Sequence, residues 1–311
     1  MRSRDVKDVA ASIHRRLQNL PDLQQDFQYT LIRYAAERLL YRLSQSPHRD
    51  RFVLKGAMLF VVWIGHIPRP TKDVDLLGRG DLGIAELEEI FRGVCGIPCP
   101  EDGLAFDVGS VRAREIREDQ EYGGGIRVIA RATLGRARIP IQVDVGFGDA
   151  IVPEAIEAEF PTLLDLAPPK LRVYPRETVV AEKLEAIIKL GIATSRMKDI
   201  YDLHVLANQF AFPGLTLARA IRATFERRKT ELPRSLSNTL GDSFLRDAGK
   251  RAQWAAFLRR MGAGPQGLTL DEAVRIIQTF VGPPVEALTA GLPFDGTWPP
   301  SGPWQRNAGV G

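Results

Sequence analysis

The sequence predicts an α/β (α+β) protein, with a strand-and-helix core, helices before it and a longer helical region after it. Three observations predict this. Ahead of residue 51, apolar residues recur at helical spacing. Between about residues 51 and 150, short runs alternate with period two. Beyond residue 151, helical spacing returns. A chain of 311 residues can form one large domain or two modest ones.

In the N-terminal segment, 1–50, Ile32, Ala36, Leu39 and Leu43 fall on one face of a helix. Arg33, Glu37, Arg38 and Arg42 are expected to decorate its other sides, and Ser46-Pro47 to end it. In the core, 51–150, Phe52-Val53-Leu54 reads as a short strand stopped by Lys55-Gly56, with a helix from Ala57 to Trp63 directly after the glycine. Pro68 and Pro70 break that helix, and Asp73 to Leu77 reads as a strand. Ile84, Leu87, Phe91 and Val94 mark an amphipathic helix. Strands then follow at Arg127–Thr133 and Ile139–Val145, joined around Gly135, with Pro140 suggesting a strand start or an edge. The C-terminal region, 151–282, carries strong helices at Glu177–Leu190 and Met197–Ala207. Weaker ones lie near Leu217–Arg228, Gly249–Met261 and Leu270–Phe280. The remainder, 283–311, is rich in Pro, Gly and Trp without periodicity and is expected to be an extended tail. There is no internal repeat.

Composition narrows the function. Hydrophobic residues make up 44% and charged residues 26%, a balance that excludes a disordered chain. A net charge of +4 is compatible with a nucleic-acid partner without requiring one, because the basic residues are scattered. Cys95 and Cys99 form a lone C-x3-C without the second ligand pair of a zinc site, and the four histidines lie far apart. No apolar segment follows Arg2 and Arg4 as a secretory signal would, and the stretch Met58–Ile64 is too short to span a bilayer. A cytoplasmic location with no membrane partner is expected.

Asp73-Val74-Asp75 is the first chemical candidate. Period two puts both carboxylates on one strand face. Like charges so close repel unless a cation lies between them, and Mg²⁺ is held by one or two carboxylates plus substrate phosphates. Asp144 sits near the end of a later strand, facing away from Ile141, Val143 and Val145. If the two strands are neighbours, three acids converge and can hold two divalent ions for in-line phosphoryl transfer. Lys55-Gly56-Ala57 forms a strand–turn–helix junction, where glycine lets the backbone approach a phosphate. Plainer readings stay open: a turn at Gly56, a solvated carboxylate at Asp144.

Two helical segments follow, Ala181-Glu182-Lys183-Leu184-Glu185-Ala186 and Arg196-Met197-Lys198-Asp199-Ile200-Tyr201-Asp202-Leu203. Lys183 adjoins the apolar stripe of the first and could reach inward to a phosphate. Asp199 and Asp202 lie i, i+3 on the second. By spacing alone, an i,i+4 surface pair of Lys198 with Asp202 reads as well.

This series resembles the AbiEii/AbiGii toxin family of nucleotidyltransferases, the toxin half of type IV toxin–antitoxin systems and relatives of the MenT toxins. The matching segments, in the family's order across about residues 50 to 206, begin with those at Phe52 and Arg69-Pro-Thr-Lys-Asp-Val-Asp75. They continue with Ile141-Gln-Val-Asp-Val-Gly-Phe-Gly-Asp149 and the segments from Glu177 and Arg196. The resemblance implies a polymerase-β-like nucleotidyltransferase core. It implies that Lys55, Gly56 and Ala57 form the nucleotide-binding turn, that Asp73 and Asp75 bind Mg²⁺ (or Mn²⁺), and that Asp144 fills the third acidic position. It further implies that Lys183 contacts the triphosphate and that Asp199 is the acid of the last motif. One departure is Ala57, where the family usually has Ser, which removes a hydroxyl contact to phosphate.

The implied substrate is a nucleoside triphosphate, the implied acceptor a tRNA 3′ end, and the implied partner a cognate AbiEi-type antitoxin. Two alternatives stand beside this: transfer to a small molecule or protein, and a catalytically silent partner-binding protein. Thr71, two residues before Asp73, is a candidate regulatory position. A phosphate there would add negative charge beside the metal-binding acids, while the plainer reading is that Thr71 caps a turn.

Overall fold

The structure, a computed structural model, describes residues 6–20, 27–116, 124–261 and 267–306. The chain forms two compact units, one of Met1–Gly148 with Ile156–Val173 and one of Asp149–Ala155 with Tyr174–Gly311.

The first unit is built on a seven-stranded mixed sheet. Its elements are α1 (Val6–Gln18), α2 (Phe27–Gln45), β1 (Phe52–Lys55), α3 (Leu59–Ile64), β2 (Asp73–Gly78), α4 (Ile84–Gly96), β3 (Leu104–Glu115), β4 (Gly125–Leu134), β5 (Ala137–Phe147), β6 (Ile156–Glu159) and β7 (Lys170–Val173). The strand order is β3-β4-β5-β2-β1-β7-β6. Strands β3, β4 and β5 run antiparallel, β5 and β2 parallel, β2 and β1 antiparallel, and β1 and β7 parallel. The parallel pairs are non-consecutive in the chain because a parallel neighbour needs a crossover.

Alternation decides which face of β4 and β5 is the core. Val128, Ala130 and Ala132 on β4, with Ile139, Ile141, Val143 and Val145 on β5, are buried. Each large apolar side chain of this set contributes roughly 2 kcal/mol by burial. Residues between them are half-buried or exposed. Pro140 lies inside β5, yet ahead of the stretch paired with β2, which begins at Gln142. Its missing N–H therefore falls where β5 has one neighbour rather than two. Strand β3 was not expected. Its alternation is interrupted by a register shift between Asp107 and Arg112, which hides the period. Strands β6 and β7, at four residues each, were too short to show one.

Helix α2 corrects a second expectation. Its apolar stripe is buried as foreseen, but so are Glu37, Arg38 and Arg42. Asp102, also buried, receives Arg42 Nη1 at 2.5 Å and Arg38 Nε at 3.4 Å. Arg38 Nη1 donates to the Ala167 carbonyl at 2.8 Å, and Glu37 Oε2 accepts from the Leu163 N–H at 2.8 Å. The charges are tolerated inside because each meets a partner. Burial nevertheless pushes the Glu37 carboxyl up to about 7, against the Leu163 hydrogen bond and the nearby arginines that lower it.

The second unit is mainly helical: α5 (Arg176–Leu190), α6 (Met197–Gln209), α7 (Gly214–Arg228), α8 (Ser237–Leu240), α9 (Asp242–Arg246), α10 (Ala248–Arg260) and α11 (Leu270–Thr289). A two-stranded ribbon joins β8 (Phe212–Pro213) to β9 (Thr297–Trp298). The expected extended tail from residue 283 is not what forms. Helix α11 starts with a capping box of Thr269 and Glu272 and continues through Pro283 and Pro284. Proline at 284 cannot donate to the carbonyl of Phe280, and the Trp304 indole N–H supplies that bond instead at 2.8 Å. Trp298 is 1% exposed and donates to the Ala207 carbonyl at 2.7 Å. The aromatic residues that looked aperiodic pack with Phe212 and Phe280 as core.

Candidate active site

The site in the first unit is assembled by three strands. On β2, Asp73 and Asp75 are half-buried while Val74 between them is buried, as period two requires. Strand β5 lies beside β2, in register, with Asp75 opposite Asp144 and Asp73 opposite Gln142. The adjacency on which the three-acid reading depended is therefore present. On the other side of β2, Lys55 at the end of β1 lies opposite Asp75.

Gly56 follows with φ of +75°, a left-handed conformation that disfavours any side chain. A Cβ at Gly56 would also collide with the Asp75 carboxylate. Two independent constraints thus hold this position to glycine, and both bring the turn against the acidic pair. Ala57, with the family's hydroxyl absent, is 2% exposed and belongs to the core. The turn closes through Leu59 N–H to Gly56 O at 3.3 Å and Phe60 N–H to Ala57 O at 3.2 Å. Helix α3 has only six residues, so any anion affinity rests on the turn's backbone more than on a helix dipole.

Asp144 differs from the other two acids. Arg127, opposite it on β4, grips it with a fork: Nε to Oδ1 at 2.8 Å and Nη2 to Oδ2 at 2.8 Å. Gln142 Nε2 lies 3.4 Å from Oδ2. Among the described residues no group of three or more His, Cys, Asp or Glu is arranged to hold a metal ion. The third acid stands opposite Asp75 in the register, with an arginine on both of its oxygens. Asp73 and Asp75 do fit a hard divalent ion. They offer oxygen donors on one half-open face, and two carboxylates suffice when phosphates complete the shell.

Arg127 was missed by reading motifs in isolation, yet a signal existed. The β4–β5 hairpin turns between Leu134 and Ala137, and counting outward from that turn places residue 127 opposite residue 144. Thr71 is half-buried on the approach to β2, and the ammonium of neighbouring Lys72 lies 4.9 Å from the Tyr29 ring centroid.

Lys183 and Asp199 lie in the second unit, on α5 and α6. Lys183 Nζ is 2.9 Å from Asp199 Oδ1 and 2.6 Å from Asp202 Oδ2. Arg196 Nη1 reaches Asp199 Oδ2 at 3.2 Å. Burial would raise the Asp199 carboxyl, but the charges of Lys183, Lys198 and Arg196 outweigh it and hold the group down at about 2. The surface pair of Lys198 with Asp202 does not form: Asp202 is 0% exposed and belongs to Lys183. A second, half-buried network joins Arg228 to Glu185 at 2.8 Å, Asp149 at 3.0 Å and Glu182 at 3.5 Å. Its partners come from separate segments, and no spacing announced them.

The family profile described as "Nucleotidyl transferase AbiEii toxin, Type IV TA system" matches residues 38–276. The chain belongs to the AbiEii family. Membership makes it a nucleotidyltransferase of the type IV toxin–antitoxin class, for which a nucleotide substrate and an antitoxin partner are implied. No curated protein matches the sequence significantly. Among solved structures, the AbiEii-family chain is similar to JHP933 from Helicobacter pylori, with a TM-score of 0.50 and 14% identity, over 85% of this chain and 93% of that one. A candidate nucleotidyltransferase from H. pylori is also similar, with a TM-score of 0.49 and 15% identity, over 86% of this chain and 97% of that one. At 14% identity the first likeness shows a shared fold alone, and the mixed α/β architecture is the one expected from the sequence. No helix among the described residues is long and apolar enough to cross a membrane.

Proposed function

We propose that this protein transfers a nucleoside monophosphate from a nucleoside triphosphate to an acceptor hydroxyl, with a tRNA 3′ end as acceptor and pyrophosphate as the leaving group. The observation that carries the reading is the pairing of Asp73 and Asp75 on one half-open strand face against the side-chain-free turn at Gly56. A turn without a Cβ lets phosphate oxygens approach the backbone, and the two acids supply the ligands that a triphosphate-bound ion lacks.

In this proposal Asp73 and Asp75 hold Mg²⁺ or Mn²⁺, which supplies charge neutralisation for the phosphoryl oxygens. The acceptor oxygen forms its bond to the α-phosphorus as the bond from that phosphorus to the bridging oxygen of pyrophosphate breaks. Asp144, opposite Asp75 and held by Arg127, is assigned the third acidic position at the metal, where it or a metal-bound water would help deprotonate the acceptor hydroxyl; its register with Asp75 supports that assignment. The turn of Lys55, Gly56 and Ala57 receives the phosphates. Lys183, braced by Asp199, is the cation assigned to phosphate charge. A cytoplasmic enzyme controlled by a cognate AbiEi-type antitoxin follows from this biology.

Each of the four nucleoside triphosphates, labelled at the α-phosphate, is to be offered with total tRNA and Mg²⁺. Label entering tRNA from at least one of them, and none with Asp75→Asn, is the expected result. Label appearing on protein or small molecules alone would overturn the tRNA assignment.

A further inference from the structure

The register of the sheet in the first unit extends the acidic face into a field of arginines. Residues opposite one another on neighbouring strands share a face. Across β2, β5, β4 and β3, one row reads Asp75, Asp144, Arg127, Arg114. The next reads Asp73, Gln142, Ile129, Arg112. Beyond the start of β2, the rows continue as Pro140, Arg131, Asp107 and then Arg138, Thr133, Ala105. The reverse face of β4 and β5 is the buried apolar core, so this face is the one turned to solvent.

Its exposure rises away from the acids. Asp144 and Arg127 are half-buried, whereas Arg112, Arg114, Arg131 and Arg138 are exposed. Ile129, in the midst of them, is 40% exposed, the one apolar side chain in its row. Arg131 pairs with Asp107 at 3.0 Å, but at 71% and 48% side-chain exposure such a pair holds its partners weakly. Among the described residues Arg112 donates to the backbone carbonyls of Gly109 and Val111, and its charge also acts on the Glu88 carboxylate. Among the described residues Arg114 and Arg138 have no carboxylate partner. A strand face of four exposed guanidinium groups and one exposed carboxylate carries a local positive excess, complementary to a polyanion.

We propose that this face of β3, β4 and β5 is the docking surface for the acceptor RNA. A single-stranded 3′ segment lies across the strands with its terminal hydroxyl at Asp75. Its phosphates meet Arg114, Arg112, Arg131 and Arg138, and one base rests on Ile129. Three strand spacings separate Asp75 from Arg114, about 15 Å. A segment of a few nucleotides therefore reaches both. Phosphate contacts of this kind position a strand without reading its sequence, which suits an enzyme acting at a shared 3′ end. The direction of the strand rests on the transferase reading above; the surface itself rests on the register and exposure of the arginines.

The test uses the full-length protein with Arg114→Gln and Arg138→Gln combined. Both side chains are exposed, so the urea midpoint should stay put. The probe is a fluorescein-labelled single-stranded RNA, with nucleoside triphosphate binding measured in parallel. At about 100 mM salt the RNA Kd should rise roughly tenfold, and the slope of log K against log salt should fall by about 1.4, two contacts at ~0.7 each. Triphosphate affinity should not change. Unchanged RNA affinity and slope, or no RNA binding by the wild type, overturns the proposal. Equal transfer of label to tRNA by wild type and variant overturns the surface while leaving the transferase intact. RNA affinity lost in the variant, with no triphosphate labelling RNA in either form, supports the surface and removes the transferase reading instead.

Discussion

Two pairs of aspartates in this chain are alike in spacing logic and opposite in setting. Asp73 and Asp75 share a strand face by period two and remain half-buried, beside a turn with no side chain. Asp199 and Asp202 share a helix face by i, i+3 and are 4% and 0% exposed, with the Lys183 ammonium held between them. The first pair concentrates negative charge where a cation and a phosphate can still arrive. The second has its charge balanced inside the protein. Spacing brings acids together; burial and the countercharges that tertiary packing supplies set how far each pair stays open to solvent.

The largest effect expected is at the strand pair. Asp73→Asn or Asp75→Asn should lower transfer by about 10³-fold, because an amide keeps the shape and loses the charge proposed to bind Mg²⁺. The urea midpoint should hardly move. A stability loss comparable to the activity loss would make this pair structural too, and the contrast with the helix pair would vanish.

The helix pair should behave the other way. Removing one partner of a buried ion pair leaves an uncompensated charge and costs about 3–5 kcal/mol. Lys183→Ala, which strands buried carboxylates, should cost an amount of that order, and Asp202→Ala less, because Lys183 keeps Asp199, although spacing alone suggested a tolerant surface position at Asp202. Lys183→Ala should lose both activity and stability. Urea unfolding of the two variants decides the matter: an Asp202→Ala protein as stable as wild type would show that Lys183 does not depend on it.

The same contrast has a pH signature. Asp199 is held below its ordinary value, so its contribution to stability is present above about pH 4 and is lost as pH falls toward about 2. Glu37 is the reverse, its folded value raised from 4.5 to about 7. Its contribution is full below pH 4.5 and declines as pH rises to about 7. Urea midpoints measured from pH 4.5 to 7 should show this decline, and Glu37→Gln should flatten it. A slope unchanged by the substitution would assign the decline to other groups.

The smallest effect concerns the approach to the strand pair. Phosphorylation of half-buried Thr71 would place negative charge close to Asp73, and Thr71→Glu should raise the KM for the triphosphate by roughly fivefold while Thr71→Ala leaves it unchanged. Wild-type kinetics in both, with no phosphate found at Thr71 by mass spectrometry, would end the regulatory idea.

Much of this was legible in one dimension. A short apolar run placed β1, and alternation placed β2, β4 and β5, because a sheet with one buried face must alternate. Helical period placed α5, α6 and the apolar stripe of α2. The turn at Gly56 announced itself by residue type, and the D-x-D by two like charges brought to one strand face. What one dimension could not hold were the partners. The network of Arg38 and Arg42 on Asp102, the grip of Arg127 on Asp144, the claim of Asp202 on Lys183 and the bond from Trp304 that lets α11 pass through Pro284 all join distant segments. Sequence by itself determined which residues carry charge and which face of each element they share, since both follow from local backbone geometry. Tertiary structure alone decided which charges were buried and which distant partners they met, since electrostatic energy depends on distance in space and on burial, and neither is written in the order of the residues.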